Sequence, residues 1–232
     1  HVRREVAYHD SRLDLELTDD AGGRLYSFRT LRPITPPYFE DFSQLNTNWL
    51  SLSGSIADMP SQLQWSFGVP NNGRETNSHT GTNAWGNNLN GLAIDTASTD
   101  LVSPAIGLYG GNTATLRFWH SYDFTEASPT LDLVAAAVMI STNNGDSWAV
   151  LQQYTDSNAG WEEEELDLTP YVGRVIRVAW HYELFSTDAA PRPGWLVDDV
   201  SFEITNVWEN AVLVSSIVTC DTKATCVCSG TR

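Results

Sequence analysis

The sequence predicts an all-β protein whose main part is a two-sheet sandwich. Nine Trp, eight Tyr and eight Phe stand beside only two Met in 232 residues, and aromatic residues favour strands. Short apolar runs alternate with turns such as WGNNLNG, LYGGN, TNNGDS and PRPG, a spacing typical of sandwiches. No stretch clearly shows the apolar period of three to four residues, over about ten residues, that a helix requires. The acidic run WEEEELDL is therefore predicted to be an outer strand.

Residues 1–35 are predicted to form an N-terminal β-hairpin. Leu13, Leu15 and Leu17 alternate with polar residues, a DDAGG turn follows, and a second run passes through Tyr26. Alternation on both sides of a glycine-containing turn is the pattern of a hairpin. The segment PITPP then marks a boundary, because proline cannot donate to a β-ladder.

The main domain is predicted over residues 38–205, and residues 206–232 form a C-terminal strand, NAVLVSSIVTC, and a tail. The tail holds all three cysteines, Cys220, Cys226 and Cys228. A zinc site would need four ligands, and no histidine lies near them. We therefore expect one local disulfide that uses Cys220, with one cysteine left over. A disulfide indicates an oxidising compartment, hence an extracellular, secreted protein.

The charge of the chain excludes some classes of partner. The formal net charge is −16, and the residues after position 35 hold only seven basic residues against 23 acidic ones. Nucleic acid is therefore a poor partner, whereas an acidic surface suits cation binding or plain solubility, the commoner explanation. No apolar run approaches the length of a membrane span. The chain begins at His1 without a signal peptide, which we interpret as a mature or excised piece.

Two adjacent aspartates interrupt the apolar strand PGWLVDDVSFEI. Strict alternation places Asp198 on the same face as Leu196 and Val200, and this predicts that Asp198 points toward the core. A carboxylate there needs a cation, a metal ion or several hydrogen-bond donors, unless it lies at the rim of the sheet.

Four pieces in a fixed order resemble a known family. They are YFEDF; AWGNNLNG with LVSPAIGL; ATLRFWHSYDF followed by VMISTNNGDSW; and GRVIRVAWHYEL with GWLVDDVSF. Together they are similar to the MAM-like jelly-roll modules that follow the catalytic domains of immune-inhibitor-A-type secreted metallopeptidases and recur in bacterial surface proteins. The resemblance covers residues 38–205. It implies a non-catalytic jelly-roll sandwich that serves in adhesion or surface architecture.

The resemblance also implies a structural calcium ion where the first and last strands meet. Glu40 and Asp41 of YFEDF would then face Asp198 or Asp199, with carbonyl groups and water completing six to eight oxygen ligands. Asp95 and Asp100 are weaker candidates. In the alternative, one aspartate accepts hydrogen bonds from backbone N–H groups and the other is solvated.

Catalytic signatures are absent from the sequence. Neither HExxH nor GxSxG occurs, so the signatures of zinc proteases and serine hydrolases are missing. The run STNNGDSW fits an Asp-box with Asn143 in place of the usual Asp, and a single copy indicates a folding device rather than a glycosidase. The internal histidines His79, His120 and His181 are interpreted as packed core or edge residues. A pair of catalytic carboxylates at glycosidase separation is not recognisable from sequence.

Two other functions stay open at this level. A carbohydrate-binding module of a secreted hydrolase would stack sugars on exposed rings, for which Trp65, Trp85 and Trp161 are the candidates. A self-assembling fibre subunit would pair its terminal strands with a neighbouring copy, giving a homo-oligomer.

If calcium is bound as the resemblance implies, EDTA should lower the melting temperature and added calcium should restore it. A ligand that binds only the folded state stabilises it by about 2.7 kcal/mol at a hundredfold excess over Kd. An unchanged transition in the wild type would contradict calcium binding. An equal drop in the double variant Asp198→Ala, Glu40→Ala would contradict the ligand assignment.

Overall fold

The computed structural model describes residues 3–9, 12–18, 24–46, 48–53, 64–90, 97–124, 132–186, 193–206, 218–220 and 226–228. Within these ranges the regular structure is almost entirely β, as predicted. The strands are β1 Arg3–His9, β2 Arg12–Thr18, β3 Arg24–Leu31, β4 Tyr38–Glu40, β5 Leu50–Ser53, β6 Ser66–Gly68, β7 Ala84–Gly86, β8 Ala97–Val102, β9 Ile106–Gly107, β10 Thr113–Asp123, β11 Asp132–Ser141, β12 Ala149–Tyr154, β13 Glu162–Asp167, β14 Val175–Ser186, β15 Gly194–Thr205, β16 Val218–Cys220 and β17 Cys226–Cys228. A short 3₁₀ helix spans Thr169–Tyr171. No helix in the described ranges has the length and apolarity to span a membrane.

The main domain consists of two antiparallel sheets. The first has the order β13-β10-β15-β7-β6, with β4 beside the second half of β15. The second has the order β12-β11-β14-β8-β5, with β9 beside the start of β14. The run WEEEELDL contributes β13, which confirms its assignment to a strand. The first sandwich strand, β4, pairs with the last, β15, as the jelly-roll resemblance implies.

The two sheets enclose one aromatic core. Alternate residues of β10 are buried because strand side chains point to opposite faces. Phe118 of the first sheet meets Trp180 of the second edge-on, with ring centroids 5.3 Å apart. Phe124 and Tyr182 make a further contact across the layers at 5.7 Å. These contacts confirm the predicted sandwich.

Strand β15 contains a β-bulge that changes which residues face the core. Its register with β10 shifts between Arg117 and Trp119, and Asp199 has a left-handed φ of 48°. A bulge inserts one residue and so reverses the alternation beyond it. The core therefore receives Trp195 and Val197 before the bulge, and Val200 and Phe202 after it.

The prediction that Asp198 faces the core is consequently wrong. Strict alternation would place Asp198 on the same side as Val200, but the bulge at Asp199 puts them on opposite sides. Asp198 is nevertheless fully buried. It lies on the outer face of the first sheet, beneath the loop that joins β6 to β7, residues 69–83.

The terminal segments form small sheets of their own. Strands β1, β2 and β3 make a three-stranded antiparallel sheet in that order, rather than the predicted two-stranded hairpin. The added strand is β1, whose sequence RREVAYH precedes the leucine alternation. At the other end, β16 pairs with β17. The described strands of both termini thus find partners within the same chain.

The Asp-box run folds into the tight turn between β11 and β12. The Asn143 side-chain oxygen accepts hydrogen bonds from the Ser147 N–H at 3.0 Å and from the Ser141 hydroxyl at 2.8 Å. Its amide group donates to the Ser147 hydroxyl at 2.8 Å. Asn144 and Gly145 both have positive φ, as Asn-Gly turns commonly do. These contacts describe a turn-stabilising device, in agreement with the sequence interpretation.

Replacing Asn143 with alanine should lower the free energy of unfolding by about 1–2 kcal/mol, because the turn loses three hydrogen bonds that are partly open to solvent. Asn143→Asp should cost less, since the carboxylate keeps both acceptor contacts and the Ser147 hydroxyl can rotate to donate. Urea denaturation at pH 7 measures both values. Equal losses for the two variants would contradict this account of the turn.

Candidate functional site

The most elaborate polar arrangement in the described residues lies where the β6–β7 loop covers β15. We call it the aspartate cluster: Asp198 and Asp199 of β15 with His79 and Thr80 of the loop. The Asp198 Oδ2 accepts the backbone N–H of His79 at 2.9 Å and that of Thr80 at 3.1 Å. Its Oδ1 accepts the N–H of Asp199 at 2.8 Å. The buried carboxylate therefore meets backbone donors, one of the options that its sequence position left open.

Asp199 holds the same loop through side chains. Its Oδ1 accepts the Thr80 hydroxyl at 2.6 Å, and its Oδ2 lies 2.5 Å from His79 Nδ1. His79 can donate this hydrogen bond from Nδ1 in the tautomer that carries its proton there. The left-handed backbone of Asp199 lets two consecutive carboxylates reach one loop, whereas an extended strand would direct them to opposite faces.

Two tryptophan rings also contact the loop. The imidazole of His79 stacks on Trp119 of β10, with centroids 3.7 Å apart and the planes within 8°. Trp161 approaches His79 at 6.2 Å and donates its indole N–H to the carbonyl of Asn77 at 3.1 Å. His79 is thus held by a carboxylate at one edge and by an indole on one face.

Further polar contacts tie the loop to the end of the first sheet where β10 ends and β15 begins. The Asn72 amide donates to the carbonyl of Pro193 at 2.8 Å, just before β15 begins. Arg74 donates to the Ser121 hydroxyl at 3.1 Å and to the Asn158 side chain at 3.2 Å. The loop is therefore fastened at several points along β10 and β15.

Burial dominates the electrostatics of Asp198. Desolvation, reinforced by the neighbouring Asp199, raises the pKa of Asp198 to about 7, although three N–H groups oppose the shift. Burial under the loop therefore favours the protonated form of Asp198 relative to an exposed aspartate.

The aspartate cluster fixes the β6–β7 loop to β15. A hydroxyl–imidazole nucleophile pair would need the hydroxyl to donate to the imidazole. Here the Thr80 hydroxyl and the His79 imidazole each bond to Asp199 instead of to each other. The stacking on Trp119 also covers one face of the imidazole. What the arrangement does is hold a loop against a sheet.

The four residues predicted to bind calcium are only partly brought together. Glu40 lies opposite Val200 in the β4–β15 ladder, and its carboxylate contacts the Asn46 amide at 2.6 Å and the Tyr38 hydroxyl at 3.0 Å. Asp41 accepts the N–H of Ser43 at 2.9 Å. Among the described residues, no group of three or more His, Cys, Asp or Glu side chains is arranged to hold a metal ion. Calcium binding stays a prediction, and the arrangement seen for Asp198 is that of the backbone-donor alternative.

The three tryptophans proposed for sugar stacking differ in exposure. Trp65 and Trp85 belong to the buried core and are 2% and 6% exposed. Neither presents a ring to solvent, because each packs against other aromatic rings. This burial removes both from the candidates. Trp161 is half-buried beside the aspartate cluster.

The other two internal histidines occupy different settings. His120 is 2% exposed, and burial lowers the pKa of its imidazole to about 3, which confirms its interpretation as a packed core residue. His181 lies on the outer face of the second sheet, 2.8 Å from Asp100. The contact with Asp100 raises the pKa of His181.

The side chains of the three cysteines and of Asp95 are not among those that the structure describes. The ladder of β16 and β17 places Cys220 opposite Cys226 and Val218 opposite Cys228, so the backbone brings the first two cysteines together. Their side chains lie outside the described residues, and the disulfide stays a prediction. Asp95 also lies outside them.

Sequence reasoning missed the partners of the two aspartates. Two adjacent aspartates within an apolar strand indicated that hydrogen-bond donors or a cation must lie nearby. Nothing in the sequence around Thr80 and Trp119 indicated that these residues would be close to them. His79 lies 119 positions before Asp198 in the chain, and sequence alone does not reveal such a contact.

The chain is similar to part of one curated protein and, at low identity, to several solved structures. No family model matches the chain. It is 29% identical over 188 residues to Bacillopeptidase F of Bacillus subtilis (strain 168), a match that covers 78% of this chain and 12% of the relative's length. Among solved structures, the K1 cleaved adhesin domain of Lys-gingipain from Porphyromonas gingivalis W83 is similar at 16% identity and a TM-score of 0.48, covering 72% of this chain and 98% of that one. TmCBM61 in complex with β-1,4-galactotriose gives 16% identity and 0.42, covering 68% and 89%.

The raised pKa of Asp198 predicts a specific pH dependence of stability. The folded pKa of about 7 exceeds the ordinary value of 3.8, so the folded state binds more protons between these values. The stabilisation from this group is therefore complete below about pH 4 and is lost as the pH rises through 7. An asparagine side chain at this position cannot titrate, so the stability advantage of the wild type over Asp198→Asn should shrink steadily from about pH 4 to 8.

Urea denaturation of both chains at intervals of pH measures this difference, and contributions from His120 and other shared groups cancel. Asp41→Asn is the matched control, because a hydrogen bond from Ser43 lowers the pKa of Asp41 and its window lies below about pH 4. A difference for Asp198→Asn that is flat or that grows with pH would show that burial does not dominate at this carboxylate.

Proposed function

We propose that the chain is a non-catalytic β-sandwich module of an extracellular, secreted protein, and that it serves in adhesion or surface architecture by binding another protein. The observation that carries this proposal is an apolar band across the outer face of the second sheet that is exposed at both of its ends. The similarity to a segment covering 12% of Bacillopeptidase F supports a module within a larger protein. The cysteine hairpin at the C-terminus supports an oxidising compartment.

The position of the apolar band follows from the strand register. Leu101 and Trp180 face the core, so their neighbours in β8 and β14 face outward. One outward row runs across the five strands in the order Leu50, Val102, Ala179, Met139 and Val150. Its two ends are exposed, Leu50 by 42% and Val150 by 50%, whereas Val102 and Ala179 between them are only 3% and 2% exposed.

The adjacent row combines apolar and charged groups. It passes through Leu52, Asp100, His181 and Ala137, and Leu52 is 46% exposed. The Asp100–His181 pair at 2.8 Å lies in the middle, and Glu183 is 3.8 Å from the other imidazole nitrogen. Aliphatic side chains around a partly buried polar pair resemble the composition of a protein interface more than that of a solvated sheet face.

The nature of the exposed side chains favours a protein over a glycan on this face. Sugars stack on aromatic rings, and the protruding residues of the band are Leu50, Leu52 and Val150. A glycan-binding role is the second candidate, and it has its own observation: Phe39 and Tyr109 are 62% and 48% exposed. These rings lie outside the band, so the two candidates use different surfaces.

The chemistry of the polar side chains supports a non-catalytic role. In the described part of the chain, His79 and His181 bond to carboxylates, and His120 is enclosed by aromatic rings. A fibre subunit is less favoured than in the sequence analysis, since the described terminal strands pair within the chain.

Binding to a panel of immobilised extracellular proteins, with fibrinogen, fibronectin and collagen as probes, tests the proposal. We expect saturable binding to at least one of them by surface plasmon resonance. The double variant Leu50→Glu, Leu52→Glu should weaken it at least tenfold, because it places charges in the apolar band. Val69→Glu is the control, since Val69 is 55% exposed outside the band and should bind as the wild type does.

Two results would contradict the proposal. One is binding to a glycan array, lost in Phe39→Ala but retained in the double leucine variant, which would favour the second candidate. The other is turnover of casein, nitrophenyl esters or nitrophenyl glycosides that His79→Ala or His181→Ala abolishes, which would establish an enzyme.

A further inference from the structure

Two Asn-Gly pairs with the same local sequence lie in very different surroundings. The tripeptide Asn-Asn-Gly ends at Gly73 in the β6–β7 loop and at Gly145 in the turn between β11 and β12. Asparagine is thermolabile in proteins, because the backbone nitrogen of the next residue can attack its side-chain carbonyl carbon. Glycine in that next position leaves the nitrogen unshielded, since it has no Cβ. The local sequence therefore gives Asn72 and Asn144 the same reactivity.

Asn72 is held in a way that opposes this reaction. It is 1% exposed, and its side-chain oxygen accepts the N–H groups of Arg74 at 3.1 Å and Glu75 at 2.9 Å. Its amide nitrogen donates to the carbonyl of Pro193 at 2.8 Å. The nitrogen that must leave as ammonia is thus buried and hydrogen bonded, and rotation of the side chain would break these contacts.

Asn144 is exposed, and its amide nitrogen has no hydrogen-bond partner among the described residues. The side-chain oxygen accepts the Nε–H of Arg177 at 2.9 Å. That contact survives the reaction, because the amide nitrogen leaves and the oxygen stays. A donor at this oxygen also stabilises the negative charge that develops there when the carbonyl carbon is attacked. The attacking nitrogen, that of Gly145, donates to the Ser141 hydroxyl oxygen at 2.8 Å, an acceptor that lies where its proton must depart.

We propose that Asn144 is a site of spontaneous deamidation in the folded chain, with water as the co-reactant. The Gly145 nitrogen bonds to the side-chain carbonyl carbon of Asn144 and loses its proton. The C–N bond to the amide nitrogen breaks, and this nitrogen takes up a proton and leaves as ammonia. Water then opens the resulting cyclic imide at one of its two carbonyl carbons. The product is either an aspartate or an isoaspartate, in which the main chain runs through the side-chain carbon.

The aspartate product supplies a negative charge beside Arg177. Burial lowers the pKa of Arg177, and in the described part of the chain its hydrogen bonds go to two neutral oxygens, the side chain of Asn144 and the carbonyl of Ser103. A carboxylate at position 144 keeps the oxygen that Arg177 contacts and makes it anionic. Deamidation thus converts a neutral contact in the turn into an ion pair with a partly buried cation.

Mass spectrometry of the incubated protein tests the site. In guanidinium chloride, which unfolds the chain, Asn72 and Asn144 should gain the mass of deamidation at similar rates, because their local sequences match. In the folded wild-type chain we expect Asn144 to convert at least about tenfold faster, since freeing Asn72 breaks three hydrogen bonds in a buried site. Fragmentation of the tryptic peptides locates each change.

Two outcomes of this experiment overturn the proposal. One is conversion of Asn72 in the folded chain at a rate equal to that of Asn144 or faster. The other is a folded chain in which Asn144 stays unchanged over a period that converts it completely in the unfolded chain.

The variant Asn144→Asp tests the effect of the product on stability. At low salt its folding equilibrium constant should exceed that of the wild type by up to about fivefold, the upper range for exposed ion pairs, and added salt should reduce the gain. In an Arg177→Gln background the same substitution should bring no gain. Urea denaturation measures all four chains. An Asn144→Asp chain no more stable than the wild type at low salt, or an equal gain in the Arg177→Gln background, contradicts the ion pair.

Discussion

The burial of two consecutive carboxylates under one loop is the constraint around which this structure is organised. Asp198 is completely enclosed, and its three backbone donors come from the β6–β7 loop and from its own neighbour. A buried carboxylate without partners would be strongly destabilising, and the loop supplies two of the three backbone donors that prevent this. The β6–β7 loop is therefore held against the first sheet by hydrogen bonds, although it contains little regular structure.

This constraint explains the irregularity of β15. A regular strand would send Asp198 and Asp199 to opposite faces, and one of them would enter the aromatic core. The bulge at Asp199 avoids this, because it turns both carboxylates outward and returns Val200 and Phe202 to the core. The neighbouring residues of β15 are thus divided between its two faces. The carboxylates form hydrogen bonds on the outer face, and the apolar side chains pack in the core. The left-handed conformation costs little in an aspartate, which tolerates it better than most residues.

The outer faces of the two sheets differ in what covers them. The outer face of the first sheet is largely committed to holding the loop, through Trp119, Ser121 and the aspartates. Within the described ranges, the outer face of the second sheet has no comparable cover over Leu50, Leu52 and Val150, which are about half exposed. The exposed apolar side chains of the second sheet thus lie on its two end strands, β5 and β12.

Much of the architecture could be predicted from local patterns. Aromatic content, alternation and turn residues indicated the all-β class, and WEEEELDL was assigned correctly to a strand. The Asn143 turn was also recognised, because its hydrogen bonds join residues at most four positions apart. Such features depend on neighbours in sequence, and so the sequence by itself determined them.

Other features were decided only by the tertiary structure. The direction of Asp198 depends on a bulge, and a one-residue shift reverses every side chain beyond it. The partners of Asp198 and Asp199 lie about 120 positions away in the chain, and Trp65 and Trp85 are buried by rings from distant strands. The sequence showed that a doubled aspartate needed compensation. Which donors supply it, and on which face, was settled when the strands paired and the loop closed over them, because hydrogen bonds and burial are properties of groups brought together in space.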